Sequence, residues 1–204
     1  TVANPKGVLL THRNYTANIE QVRNVLDFPD NGKMLLILPL DHCFAHVGGM
    51  YLCMNTGCSI GTVPGNSLRN IPLAIAELKP DIMLSVPTIT KNFRKNIEAY
   101  VRDQGHLRNV LFHKYLDMAY SYYREGYNAE KIRQGWKRPF LRTADRLFFK
   151  DIREKFFGGN LKFFVSGAAY LDIDQQRFFY AIGVPIMQGY GLSEASPVIS
   201  TNIS

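Results

Sequence analysis

The sequence is poor in the features that most quickly place a chain in a special class. It has three cysteines, Cys43, Cys53 and Cys58, and no C-x-x-C pair. So sparse and odd a set excludes a disulfide framework and predicts buried thiols in a reducing, cytoplasmic compartment. Neither a bilayer-length apolar run nor a secretory leader pattern is present. A solid basic run is lacking too. The net charge is +7, but the cations are scattered, as in Arg94-Lys95 and Lys137-Arg138. That excludes a nucleic-acid arm. It leaves an anionic small ligand or a membrane surface as partner, beside the plainer reading of a solvated surface. Repeats and low-complexity tracts are missing. The N-x-[ST] matches at Asn14 and Asn202 are chance matches in such a compartment.

Three catalytic signatures are absent as well: the P-loop G-x-x-x-x-G-K-[ST], the G-x-S-x-G elbow and H-E-x-x-H. What remains is a globular composition, 46% hydrophobic and 20% charged, with material for one sizeable core. The chain opens in a turn-like segment without an initiator Met and closes in the β-branched run Val198 to Thr201. Both ends have the character of a domain interior, so a fragment of a longer protein is expected.

Hydrophobic patterning gives strands alternating with helices. Strands are expected at Val8–Leu10, Met34–Leu38, Cys58–Val63, Ile82–Val86, Leu161–Val165 and Val184–Met187. Helices are expected from a Thr11 cap to about Leu26, around Val47–Met54, over Ile71–Leu78, from a Thr88 cap to about Val101, and over Asp172–Ala181. Between about 107 and 157, aromatic and basic residues alternate without a strand signal. A helical insertion is expected there, with a loop near Gly126–Gly135. Its aromatics suit helix packing, and a membrane-surface helix or scaffolding role is the minority reading. The fold class is α/β, a mostly parallel, doubly wound sheet with helices on both faces.

In such sheets ligands bind beyond the carboxyl ends of the strands. Asp41-His42, Pro87-Thr88, Ser166-Gly167-Ala168-Ala169 and Tyr190 to Glu194 all fall at such ends. In Gln188-Gly189-Tyr190-Gly191-Leu192-Ser193-Glu194-Ala195 a ring can stack on a base, a hydroxyl can bond phosphate and a carboxylate can hold magnesium. The alternative is an ordinary glycine turn with Glu194 capping a helix. Lys6, between Pro5 and Gly7, could reach a phosphate, though a surface turn suits it better. His42 and His46 could share a helix face and hold zinc, but packing or pocket-lining histidines fit better. Ser166-Gly167 reads as a backbone element with room for a flat ring.

Four segments in order resemble the adenylate-forming acyl-CoA synthetase superfamily: Asn4-Pro5-Lys6-Gly7-Val8 with Thr11-His12, Leu38-Pro39-Leu40-Asp41-His42, Ser166 to Ala169, and Tyr190-Gly191-Leu192-Ser193-Glu194. The middle section is most similar to the long-chain fatty acid–CoA ligase branch. Residues 1–204 would then be the central part of the large N-terminal domain, with its first part and the small C-terminal domain lying outside the chain. The resemblance implies that ATP and a fatty acid give an acyl-adenylate, which coenzyme A converts to a thioester with release of AMP. It implies Glu194 as magnesium holder, Ser193 on a phosphate oxygen, Tyr190 on the adenine, and Gly167, Ala168 and Ala169 shaping the adenine pocket. Gln188, Gly189 and Gly191 belong to the same nucleotide motif. Lys6 would lie near the triphosphate and His42 near the reacting carboxylate. Ser193 stands where the family more often has Thr, and Tyr170 where Pro is usual. A non-catalytic nucleotide-binding or regulatory module is the alternative function. The fragment alone is expected to be inactive.

Overall fold

Burial with a period of two on both faces accounts for the sheet. Met34, Leu36, Ile82, Leu84, Phe163, Val165 and Met187 join one apolar cluster, while Leu35, Met83, Phe164 and Ile186 join another. Neighbouring residues of one strand thus feed opposite layers, as a sheet covered on both sides requires. The computed structural model describes residues 7–123 and 135–202. Among these the strands are β1 (Lys33–Leu36), β2 (Ser59–Thr62), β3 (Ile82–Ser85), β4 (Phe163–Ser166), β5 (Ile186–Gly191) and β6 (Val198–Thr201). They form one sheet in the order β2-β1-β3-β4-β5-β6. All neighbours are parallel except β5 and β6, which run antiparallel.

The helices cover the two faces unequally. One face carries α1 (His12–Val25) and a π-helical segment, Ala45–Tyr51, that runs into α2 (Leu52–Thr56). The other carries α3 (Ile71–Leu78), α4 (Pro87–Asp103), α5 (His106–Tyr123), α6 (Arg138–Ala144), α7 (Lys150–Phe157) and α8 (Ile173–Ala181). A π-helical turn, Asp145–Phe149, joins α6 to α7. Its core is aromatic, with the Phe164 ring 5.5 Å from that of Phe157 and 5.6 Å from that of Phe179. None of the helices among the described residues is long and apolar enough to cross a membrane.

Local chemistry sets the helix ends. Thr11 closes a capping box, its Oγ1 accepting from the Asn14 N–H at 3.3 Å while Asn14 Oδ1 accepts from the Thr11 N–H at 2.8 Å. The Asp172 carboxylate caps α8 through the Asp174 N–H at 2.8 Å. The α/β class and the helical character of the described residues between 107 and 157 are as expected. The expected loop at Gly126–Gly135 lies outside the described residues but for its last one.

Three expectations fail. Val8–Leu10 forms no strand, because the segment pairs with no strand among the described residues and Leu9 is 98% exposed. Thr88 does not cap α4. Pro87 occupies the first turn, where its missing N–H costs nothing, and extended Val86 becomes the boundary residue. The last parallel strand does not stop at Met187. It continues through Gln188-Gly189-Tyr190-Gly191 because β6 returns alongside, with Tyr190 opposite Ser200.

The order places a topological switch between β1 and β3, since the chain leaves β1 toward β2 on one side and returns as β3 on the other. The carboxyl ends of β1, β3, β4 and β5 then share one edge.

Candidate functional site

Beyond β1 the chain passes Pro39 and turns. The His42 N–H donates to the Pro39 carbonyl at 3.3 Å, and the His42 carbonyl accepts from the His46 N–H at 3.0 Å. Nδ1 of His42 accepts from the Phe44 N–H at 3.2 Å. That fixes the acceptor nitrogen and leaves Nε2–H to project from an exposed ring. His46 goes elsewhere, with its ring 4.6 Å from Tyr51 and 6.1 Å from Tyr15. The two histidines therefore do not converge. Among the described residues no three His, Cys, Asp or Glu gather to hold a metal ion.

At the end of β4, Ser166 is fully buried and its Oγ has no hydrogen-bond partner. A Cβ on Gly167 would come 3.2 Å from the Phe44 ring, so the missing side chain lets that ring seat beneath the loop. The flat ring against Gly167 is thus the protein's own. Ala168 follows with φ of 66°, in the left-handed region that costs an alanine roughly 1–2 kcal/mol. Ala168 and Ala169 are exposed. A strained, exposed residue beside a buried hydroxyl without a partner is the kind of local conflict that marks functional loops.

Tyr190, one residue before the end of β5, is 62% exposed. Gly191 is demanded by packing, for a Cβ there would stand only 2.2 Å from the Pro197 carbonyl oxygen. The chain then bends through a three-residue 3-10 turn, Ser193–Ala195. Glu194 is exposed and caps no α-helix among the described residues, since β6 follows the turn. The Ser193 hydroxyl lies 3.5 Å from the Cys43 thiol and ties the turn to the loop that carries His42. Gln188 is bound through its backbone to Asn202, whose N–H reaches the Gln188 carbonyl at 3.2 Å.

His42, Phe44, Gly167, Ala168, Tyr190 and Gly191 line one cleft of about 50 Å³ at this edge, closed on one side by Pro197. Residues as far apart in sequence as His42 and Tyr190 meet there. Lys6 lies outside the described residues. Cys43, Phe44 and Pro197 had no sequence signal, because their roles arise only from segments brought together by the sheet. The other two thiols are buried, and desolvation pushes Cys53 up to about 12, aided by Cys58. Cys53 is a core residue.

The AMP-binding enzyme family model matches residues 1–204. The chain belongs to the AMP-binding enzyme family. Among curated relatives, long chain acyl-CoA synthetase 6, peroxisomal, of Arabidopsis thaliana is 29% identical over 98% of this chain. Long chain acyl-CoA synthetase 8 of the same plant is 32% identical over 93%. Long-chain-fatty-acid–CoA ligase 3 of Saccharomyces cerevisiae is 30% identical over 95%. The chain spans 26–27% of the length of these relatives. Solved structures share the fold. The N-terminal domain of FACL13 from Mycobacterium tuberculosis aligns with a TM-score of 0.63 at 16% identity, covering 100% of this chain and 38% of that one. The O-succinylbenzoate coenzyme A synthetase of Bacillus subtilis, solved with ATP and magnesium ion, aligns at 0.59 and 14%, covering 98% and 30%.

Proposed function

We propose that this chain supplies the adenylate-forming cleft of an ATP-dependent long-chain fatty acid–CoA ligase. The observation that carries the reading is the single cleft in which the loops after β1, β4 and β5 present His42, Ala168 and Tyr190 together. The long-chain relatives favour a fatty acid as the acid activated. The exposed Tyr190 ring is a platform for adenine, with Gly191 holding it against the Pro197 backbone and Gly189 lining the cleft beside it. Gly167, Ala168 and Ala169 form the facing wall, and the exposed Ala168 and Ala169 suit the base edge. Gln188 holds the strand to Asn202 and so sets the height of Tyr190.

Attack of a carboxylate on the α-phosphate brings two anions together. The protein must offset that charge where it develops. Ser193 offers a hydroxyl to a phosphate oxygen in place of its present Cys43 contact. The exposed Glu194 has no cation paired with it among the described residues. One carboxylate completed by phosphate and water oxygens is how magnesium is commonly held, so the site fits that ion. When bound, magnesium supplies charge neutralisation for the transferring group. His42 directs Nε2–H toward the incoming carboxylate. Lys6 is assigned to the triphosphate by its sequence position. Coenzyme A enters as the second substrate. The free buried thiols suit a reducing, cytoplasmic setting, and the scattered cations allow peripheral membrane contact.

The test is pyrophosphate–ATP exchange by the full-length protein with a fatty acid. Exchange dependent on the acid is expected, and Glu194→Gln should lower it on the order of 100-fold. No exchange with any chain length would leave a non-catalytic nucleotide-binding module instead.

A further inference from the structure

At the opposite edge of the sheet, before β5 begins, a second pocket of about 380 Å³ opens between the helical insertion and the end of α8. Arg138, Arg142, Arg146 and Arg153 line it against one carboxylate, Asp145. That carboxylate is already engaged, since Arg153 Nη1 donates to Asp145 Oδ1 at 2.6 Å and to the Ile182 carbonyl at 2.9 Å. Gly183, with φ of 83°, makes room for this, as a Cβ there would meet Arg153 Nη1 at 3.0 Å. Arg138 Nε donates to the Tyr122 hydroxyl at 3.2 Å, which orients its fork. No carboxylate among the described residues pairs with Arg142 or Arg146. Phe149 and Tyr122 on its floor are buried, and burial raises the Tyr123 phenol above its ordinary range.

Arg138, Arg142 and Arg146 follow one another at intervals of four. Like charges so spaced repel along a helix and destabilise it. A solvated surface gains nothing from aiming them into one concavity. An anion with several oxygens would bridge them, because guanidinium forks match phosphate geometry. The length of β5 separates this pocket from the cleft at Tyr190, so the two are distinct.

We infer that the pocket formed by Arg138, Arg142, Arg146 and Arg153 is a second, phosphate-binding site, which takes a phosphate-bearing ligand outside the nucleotide cleft. The inference does not depend on the ligase reading. A soluble phosphate ester or a phospholipid headgroup would present the same chemistry.

Calorimetric titration of the chain with inorganic pyrophosphate tests it. Binding is expected in the wild type and in a Ser193→Ala/Glu194→Gln variant, which alters only the nucleotide cleft. An Arg142→Ala/Arg146→Ala variant should bind about tenfold more weakly or worse. Both arginines are exposed, so the fold should persist. The melting temperature of this variant should equal or exceed that of the wild type, because repulsion is relieved. The emission of Trp136, the only tryptophan and two residues before Arg138, reports on the same turn. In a second arm, sedimentation with vesicles of phosphatidylcholine plus a phosphorylated phosphatidylinositol, lost in the arginine variant, would identify a headgroup as the source. Pyrophosphate binding without sedimentation would identify a soluble one. Absent pyrophosphate binding, or binding indifferent to the arginine pair, would overturn the site.

Discussion

Phe164→Ala is expected to destabilise the chain by roughly 3–5 kcal/mol, read as a shift in the urea unfolding midpoint. Phe164 lies in the middle of β4, wholly buried, with the rings of Phe93, Phe157 and Phe179 within 6.0 Å of its own. Those neighbours come from α4, α7 and α8, so one truncation opens a cavity shared by three helices and the sheet. Edge-on ring pairs add to the loss beyond the area buried. Against a total stability of roughly 5–15 kcal/mol, much of the folded population goes with it. Phe156→Ala is the comparison. Phe156 is only half-buried and packs edge-on against Tyr100, so it should cost clearly less. Equal costs would mean that the core is not organised around β4.

Gly191→Ala should disable the cleft where Gly189→Ala does not. A Cβ at 191 would overlap a carbonyl oxygen of the facing backbone, at 2.2 Å from Pro197 O. No flexible side chain can yield there, so the two backbones must part at the point where the ladder is already irregular. Forced overpacking of this kind costs about 1–3 kcal/mol and moves Tyr190 and Ser193 together. AMP affinity should fall about tenfold or more, measured by calorimetry. A Cβ at 189 has nothing closer than 3.9 Å, so that variant should keep its stability. Equal effects at the two glycines would show that composition, rather than the Pro197 contact, governs this strand.

The contrast between these glycines also shows where sequence reasoning stops. Strand and helix positions were legible wherever burial has a regular period, as in Met34 to Leu36, Ile82 to Ser85 and Ile71 to Leu78. The cap was legible at Thr11, whose side chain bonds its own helix, whereas Asp172 was expected inside α8 and stands as its cap. Thr88 failed because Pro87 decides that boundary through its own fixed backbone. From sequence alone the run at 188–191 reads as a turn, because glycine is rare in strands. The partner that keeps it extended, β6, contributes through pairing alone, which no local pattern encodes. The convergence of His42, Ala168 and Tyr190 followed from topology, since parallel strands align their carboxyl ends. The Cys43–Ser193 contact, the Phe44 ring beneath Gly167 and the arginine pocket beside Gly183 join segments distant in sequence. Nothing in either partner's neighbourhood announces them.

The common claim is that adenine lies between Tyr190 and the Gly167–Ala169 loop. Photolabelling with 8-azido-ATP, followed by peptide mapping, tests it most directly on the full-length protein. Light-dependent adducts that AMP suppresses are expected on the peptides bearing Ala168 and Tyr190. Adducts confined to other surfaces, or labelling that AMP does not suppress, would contradict the claim.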